Sequence, residues 1–237
     1  CVWCSPVPNK GVTDSPHGTN RLIEWLSETG LKRVSVRSDQ EPAIKAVVTA
    51  AKNGWSGELV PELAPKESHE RSNGAAVSVQ QAHGIARTLK EACEDQAKIT
   101  IPPKHPALTW LLEYGAFLYT THAQGPDGFT GWQRLKGRRW NAPLPQWGEC
   151  VDFKIRTSSK IEPRWEDGIY LGIKRTSTEK LIGTAERTYV VQSIRRKPEE
   201  HAWNGLLLLA IKGTPWCPNP KAEDPTELTL PISLEPE

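Results

Sequence analysis

Arg37-Ser38-Asp39-Gln40-Glu41-Pro42-Ala43-Ile44 is the stretch whose reading decides how this chain folds. The residues before it, Leu31 to Val36, alternate apolar and polar, the pattern of a strand with one packed face. Asp39 follows as that strand ends, and Pro42 comes where a helix accepts proline in its first turn. Strand, turn and helix in this order predict an α/β unit, and open α/β folds place their chemistry at the C-terminal ends of sheet strands. The pattern continues with a helix over Ala43–Asn53, whose buried face would be Ile44, Val47 and Val48, and a strand over Glu58–Leu63. The polar run Ser68-His69-Glu70-Arg71-Ser72-Asn73-Gly74 then opens a long helix over Ala75–Glu94, with Val77, Val79, Ala82, Ala86 and Leu89 facing inward.

In order and spacing, three segments resemble the integrase core of long-terminal-repeat retrotransposon polyproteins, most of all the Copia type. They are Ser38-Asp39-Gln40-Glu41-Pro42-Ala43, Ser72-Asn73-Gly74-Ala75-Ala76 and Ala86-Arg87-Thr88-Leu89-Lys90. The resemblance implies a ribonuclease-H-like fold, and an Asp, Asp and Glu triad that holds two Mg²⁺ ions for DNA strand transfer. Asp39 stands where the second Asp belongs, and Val77, which offers no lone pair, stands where the Glu belongs. In the family's sheet, the strand carrying the first Asp and its neighbour lie between the edge strand matched by Cys1–Val7 and the strand matched by Leu31–Ser38. Those two strands have no counterpart here, so the second of these should lack a hydrogen-bonding neighbour. A polynucleotidyl transferase by ancestry is therefore expected to be inactive. Asp39 would be a vestigial ligand that mainly caps the helix beginning at Pro42, and Mg²⁺ would not be held by one carboxylate. Glu70, the nearest spare acid, precedes the Ser-Asn-Gly motif and would have to enter from a loop.

With 237 residues there is room for one large domain or two small ones, and a net charge of +2 confines any affinity for nucleic acid to local patches. Ten Trp against three Phe either fill half-buried positions or stack on bases. The chain contains no Met, which points to an internal piece of a longer reading frame. No apolar run approaches the roughly 20 residues that span a membrane, and no signal peptide is visible. Five scattered cysteines suit reduced thiols inside a cell, and Cys1-Val2-Trp3-Cys4 reads better as part of a strand than as half of a metal site. The resemblance implies a nuclear location.

The expected organisation is a partial integrase core over 1–125, a basic Trp-rich connector over 126–146, an SH3-like β-barrel over 147–203 and a Pro-rich disordered linker over 204–237. The fold class is thus α+β, a truncated ribonuclease-H-like domain followed by a small SH3-like barrel and a disordered tail. Ala107–Thr121 is an apolar helix, which the family places at a dimer contact, so a homodimer is implied. Phe129–Gly148 carries Arg134, Lys136, Arg138 and Arg139 among Trp132, Trp140 and Trp147, with no acid in the segment. It is either a DNA-contacting patch or a solvated linker beside a packed corner. Arg71, Asn73, Arg87 and Lys90 on the long helix are further candidate nucleic-acid contacts. Glu149–Lys154, Gly168–Gly172 and Thr188–Ile194 have strand patterns, and about five short strands are expected to form the barrel. The segment Trp165-Glu166-Asp167-Gly168-Ile169-Tyr170-Leu171-Gly172, with Arg195-Arg196, resembles the region that follows the Copia integrase core. The competing reading is a non-catalytic module that binds nucleic acid or protein through the connector and the barrel.

Overall fold

The computed structural model describes residues 1–12, 15–63, 69–155, 161 and 164–220, and for 63 and 69–76 the backbone alone. The decisive stretch forms what its pattern predicts. In β1 (Arg33–Ser38) exposed and half-buried residues alternate, and Val34 and Val36 turn inward. Pro42 starts α2 (Pro42–Gly54), and β2 (Glu58–Leu63) returns parallel to β1 in the register Arg33 to Glu58 through Ser38 to Leu63. With α1 (His17–Glu28) these elements enclose a small core of Leu26, Val48, Ala51, Trp55 and Leu59. Ile44 faces out of it and is 37% exposed. On the sheet's outer face Arg33 pairs with Glu58 at 3.3 Å and Arg37 with Glu62 at 2.9 Å.

Among the described residues this sheet has two strands, and the other edge of β1 is open. Cys1–Val7 is not a strand beside it, contrary to the sequence expectation. Prolines at 6 and 8 break the segment, and its backbone is held by a side chain instead. Thr120 Oγ1 accepts from Val2 N and donates to Val2 O, both at 2.9 Å.

The long helix α3 (His69–Ala97) starts earlier than expected, so Ser72-Asn73-Gly74 lies within its backbone rather than ahead of it. Ser, Asn and Gly lower helix propensity by fractions of a kcal/mol up to about 1 each, too little to stop a helix of 29 residues. Its buried stripe is Ala82, Ala86 and Cys93, packed against α4 (Ala107–His122). The helices meet closely at Gly115, where a Cβ would lie 3.0 Å from Ala82 O. Val77 and Val79 are 45% and 49% exposed, which corrects the inward placement. Val77 is out of phase with the stripe, and Val79 is in phase but lines an open groove beyond the helix contact.

After α4 the capping box of Thr130 and Gln133 starts α5 (Gly131–Lys136), and Gly137 ends it at φ 70°. Five strands follow: β3 (Cys150–Lys154), β4 (Trp165–Ile173), β5 (Lys180–Gly183), β6 (Thr188–Val191) and β7 (Ile194–Arg196). They form one antiparallel sheet in the order β6-β5-β4-β3-β7, and no pairing of β6 with β7 closes it into a barrel among the described residues. Buried Glu149 pins β3 to β7 through Arg196, whose Nε and Nη2 donate to it at 2.7 and 2.9 Å.

The large core ignores the boundary expected near residue 147. It runs from Ala86 and Cys93 through Trp110, Tyr114 and Phe117 to Trp147, Tyr170, Leu171 and Ile182. Tyr114 meets Tyr170 edge-on at 5.7 Å. The sheet therefore packs on α4 as one body, rather than standing alone as a barrel.

Residues 204–220 also depart from the linker expected of them. Asn204 caps α6 (Gly205–Leu209), and Leu208 and Ile211 are buried in the large core. Trp110 Nε1 donates to Gly213 O at 2.8 Å, and Thr188 N donates to Pro218 O at 2.7 Å. The prolines break regular structure here without preventing packing. The rest of the expected linker, 221–237, lies outside the described residues.

Candidate nucleic-acid interface

Asp39 is exposed at the C-terminal end of β1, and its Oδ1 accepts from Gln40 N at 2.6 Å. It does not cap α2. The N-cap position is Glu41, which makes no side-chain capping bond, and Asp39 sits two residues too early to reach the first turn. Among the described residues no group of three or more His, Cys, Asp or Glu is placed to hold a metal ion. One carboxylate, Asp39, falls short of a pair of Mg²⁺ ions, which require several oxygen ligands each. The side chains of Glu70, Arg71 and Asn73 lie outside the described residues.

The cysteines supply no alternative site. Cys1 Sγ donates to Gly131 O at 2.8 Å, while Cys4 packs beside Val2, Ala82 and Ala116. Burial pushes the Cys4 thiol up and that of Cys93 to about 12, so neither is a thiolate near neutrality.

The basic connector divides in two. Arg134 Nε donates to Asp127 Oδ2 at 3.2 Å and its Nη2 donates to Oδ1, and this guanidinium holds the Asp127 carboxyl below its ordinary range. Lys136 lies 3.2 Å from Glu28 and 5.7 Å from the centre of the Trp132 ring. Asp127 stands just outside the acid-free segment and Glu28 comes from α1, so sequence alone showed four unopposed cations. Arg138 and Arg139 are exposed and have no ion-pair partner among the described residues. Trp132 is buried and Trp140 half-buried, edge-on to each other at 5.1 Å. The connector thus packs its tryptophans and still presents cations, so the two sequence readings are not exclusive. On α3, Arg87 is exposed and Lys90 is bonded to Glu94. Both line the groove with Val79, Leu108 and Leu112.

A polar cluster that no sequence pattern marked joins α1 to the large body. Glu28, with its side chain 2% exposed, accepts from Trp3 Nε1 at 3.0 Å and faces both Lys136 and Arg175 Nε, the latter at 3.5 Å. Glu113 accepts from Ser5 Oγ at 2.8 Å and from Arg21 Nη2 at 3.1 Å. Burial pushes the Glu113 carboxyl up and the Arg175 guanidinium down from their ordinary values. Glu28, Glu113, Arg21 and Arg175 line a cavity of about 440 Å³ with Trp25 and Trp110. The partners are remote in sequence, which is why spacing rules missed them.

No family model and no curated protein matches the sequence. Among solved structures, a chain from the simian T-cell lymphotropic virus intasome in complex with PP2A regulatory subunit B56 gamma aligns with 14% identity and a TM-score of 0.28. The alignment covers 78% of this chain and 67% of that one. A TM-score of that size assigns no fold. No helix among the described residues is long and apolar enough to cross a membrane.

Proposed function

We propose that this chain is a nucleic-acid-binding module of retrotransposon-integrase ancestry, of the Copia type, that lacks strand-transfer chemistry. The observation that carries the binding is the pair Arg138 and Arg139, exposed, without carboxylate partners among the described residues and set beside Trp140. Unopposed guanidinium groups next to an aromatic ring suit phosphates and bases. The ancestry is supported by the parallel β1–β2 pair with Asp39 at its C-terminal end, and by the antiparallel sheet that would be the SH3-like segment. In this reading Asp39 is a relic of the triad, and Mg²⁺ takes no part.

Each phosphate neutralised on a duplex contributes about −0.9 to the slope of log affinity against log salt. Replacing Arg138 and Arg139 by Gln should flatten that slope by roughly two, equally on unrelated duplexes. Replacing Arg134 and Lys136, already paired with Asp127 and Glu28, should change it far less. Equal effects of the two double variants, or none from either, would overturn the assignment. Joining of a DNA end with Mg²⁺ or Mn²⁺, abolished by Asp39→Asn, would overturn the catalytic half.

A further inference from the structure

Arg138 and Arg139 do not stand on a flat surface. With Trp140 and Asn141 they line a cleft of about 370 Å³, to which the β4–β5 hairpin contributes Thr178 and Lys180. The cleft is lined by three cations and no carboxylate. Glu179, next to Lys180, accepts from Ser177 Oγ at 2.6 Å and is not part of the lining. Lys180 Nζ donates to Gln192 O at 3.1 Å, a carbonyl that positions the ammonium without neutralising it. The indole of Trp140 is fixed by its Nε1, which donates to Ala142 O at 2.9 Å, and by edge contacts to Phe117 and Trp132. Thr178 closes the rim of the hairpin at φ 60°, a left-handed conformation that a β-branched residue adopts at a cost in strain.

The volume falls within the range of about 300 to 1,000 Å³ typical of small-molecule sites. Concentrated positive charge selects an anion. A fixed, half-exposed indole with an amide beside it selects a planar heteroaromatic group carrying donors and acceptors. A nucleotide unit joins these two chemistries. A base inside a duplex has both faces stacked and cannot enter such a cleft, whereas an unpaired base can.

We propose that this cleft seats one unpaired nucleotide of a single-stranded nucleic acid, its phosphate among Arg138, Arg139 and Lys180 and its base against Trp140. This deepens the nucleic-acid reading above and rests on it. Lys180 is the telling residue, since it comes from the sheet and lies outside the basic connector.

The test is fluorescence anisotropy of the whole chain with a labelled oligothymidylate and a labelled mixed-sequence duplex. Wild type should bind the single strand roughly tenfold more tightly than the duplex, because base stacking is added to the phosphate contacts. Lys180→Gln and Arg139→Gln should each weaken single-strand binding by about three- to tenfold. Lys180→Gln should leave duplex binding within about twofold of wild type, and Arg134→Gln, outside the cleft, should alter neither. Equal affinity for the two probes, or a Lys180→Gln variant indistinguishable from wild type on the single strand, would overturn the cleft and leave the general nucleic-acid reading standing. Failure of wild type to bind either probe would overturn both.

Discussion

Two of the hydrophobic cores among the described residues, the large one and that beneath β1 and β2, are built from similar residues and differ in how much of the chain they recruit. The large one draws on α3, α4, the connector, four strands of the sheet and the segment after it. The small one holds Leu26, Val48, Ala51, Trp55 and Leu59, with Leu22, Ile23, Val34 and Val36 against it, and shelters beneath a sheet of two strands. Buried apolar area contributes about 25 cal/mol per Å², and the cost of ordering each residue is of similar size, so a small core leaves little surplus. A two-stranded sheet with an open edge adds little more. The α1–α2 unit meets the large body through a polar attachment, in which Glu28 and Glu113 meet Lys136, Arg175 and Arg21.

Cavity-forming substitutions give the largest contrast. Ile182→Ala, in the fully buried centre of the sheet, should cost about 2–5 kcal/mol and lower the main thermal transition. Leu26→Ala removes as many atoms from the small core and should leave that transition almost in place while loosening β1. If Leu26→Ala lowers the main transition as far as Ile182→Ala does, the cores are a single cooperative unit and the comparison fails.

Native-state hydrogen exchange sharpens the same point with no substitution. Amides of Ile169, Tyr170 and Leu171 should open only with global unfolding. Those of Val34 and Val36 should exchange through local opening, on the order of a hundredfold faster. Equal protection in β1 and β4 would show that the polar attachment couples the units fully.

The smallest effect concerns pH. Burial raises the Glu113 carboxyl above its ordinary range, so its folded form resists ionisation. Such a group contributes stability below the ordinary glutamate range, and the contribution is lost as pH rises through its raised folded value. Glu113→Gln keeps an amide oxygen for Ser5 and Arg21 and removes the titration. Its stability relative to wild type should improve between acidic and neutral pH. A variant whose difference from wild type is the same at both ends of that range would exclude Glu113 as the source.

How much of this was legible in the sequence depends on the range over which each feature is encoded. Alternation in β1, Pro42 at the start of α2 and the apolar residues of α4 are local signals, and the elements appear where those signals lie. Ser72-Asn73-Gly74 has the composition of a helix boundary, whereas a helix as long as α3 carries weak helix formers through. Apolarity alone predicts Val77 inward, but Ala82 and Ala86 set the phase, small enough to let α4 approach. The connector misled for a different reason. Charges at 134 and 136 look free until Asp127 and Glu28 are brought to them, and only the fold does that. The tail was judged by its prolines, while Leu208 and Ile211 carried the packing signal.

The cross-strand pairs Arg33–Glu58 and Arg37–Glu62 bear on something other than the fold. They place two arginines, Arg33 and Arg37, along a short strand whose other edge is open among the described residues, where another molecule's strand would have to pair. Exposed pairs of this kind contribute little to stability, and their influence is colloidal. A second copy approaching that edge must bring its own arginines against these, and the repulsion weakens as the Debye length falls to about 3 Å near 1 M salt. This chain should therefore stay dispersed in dilute buffer and begin to associate edge to edge as salt rises, the reverse of its expected behaviour toward nucleic acid.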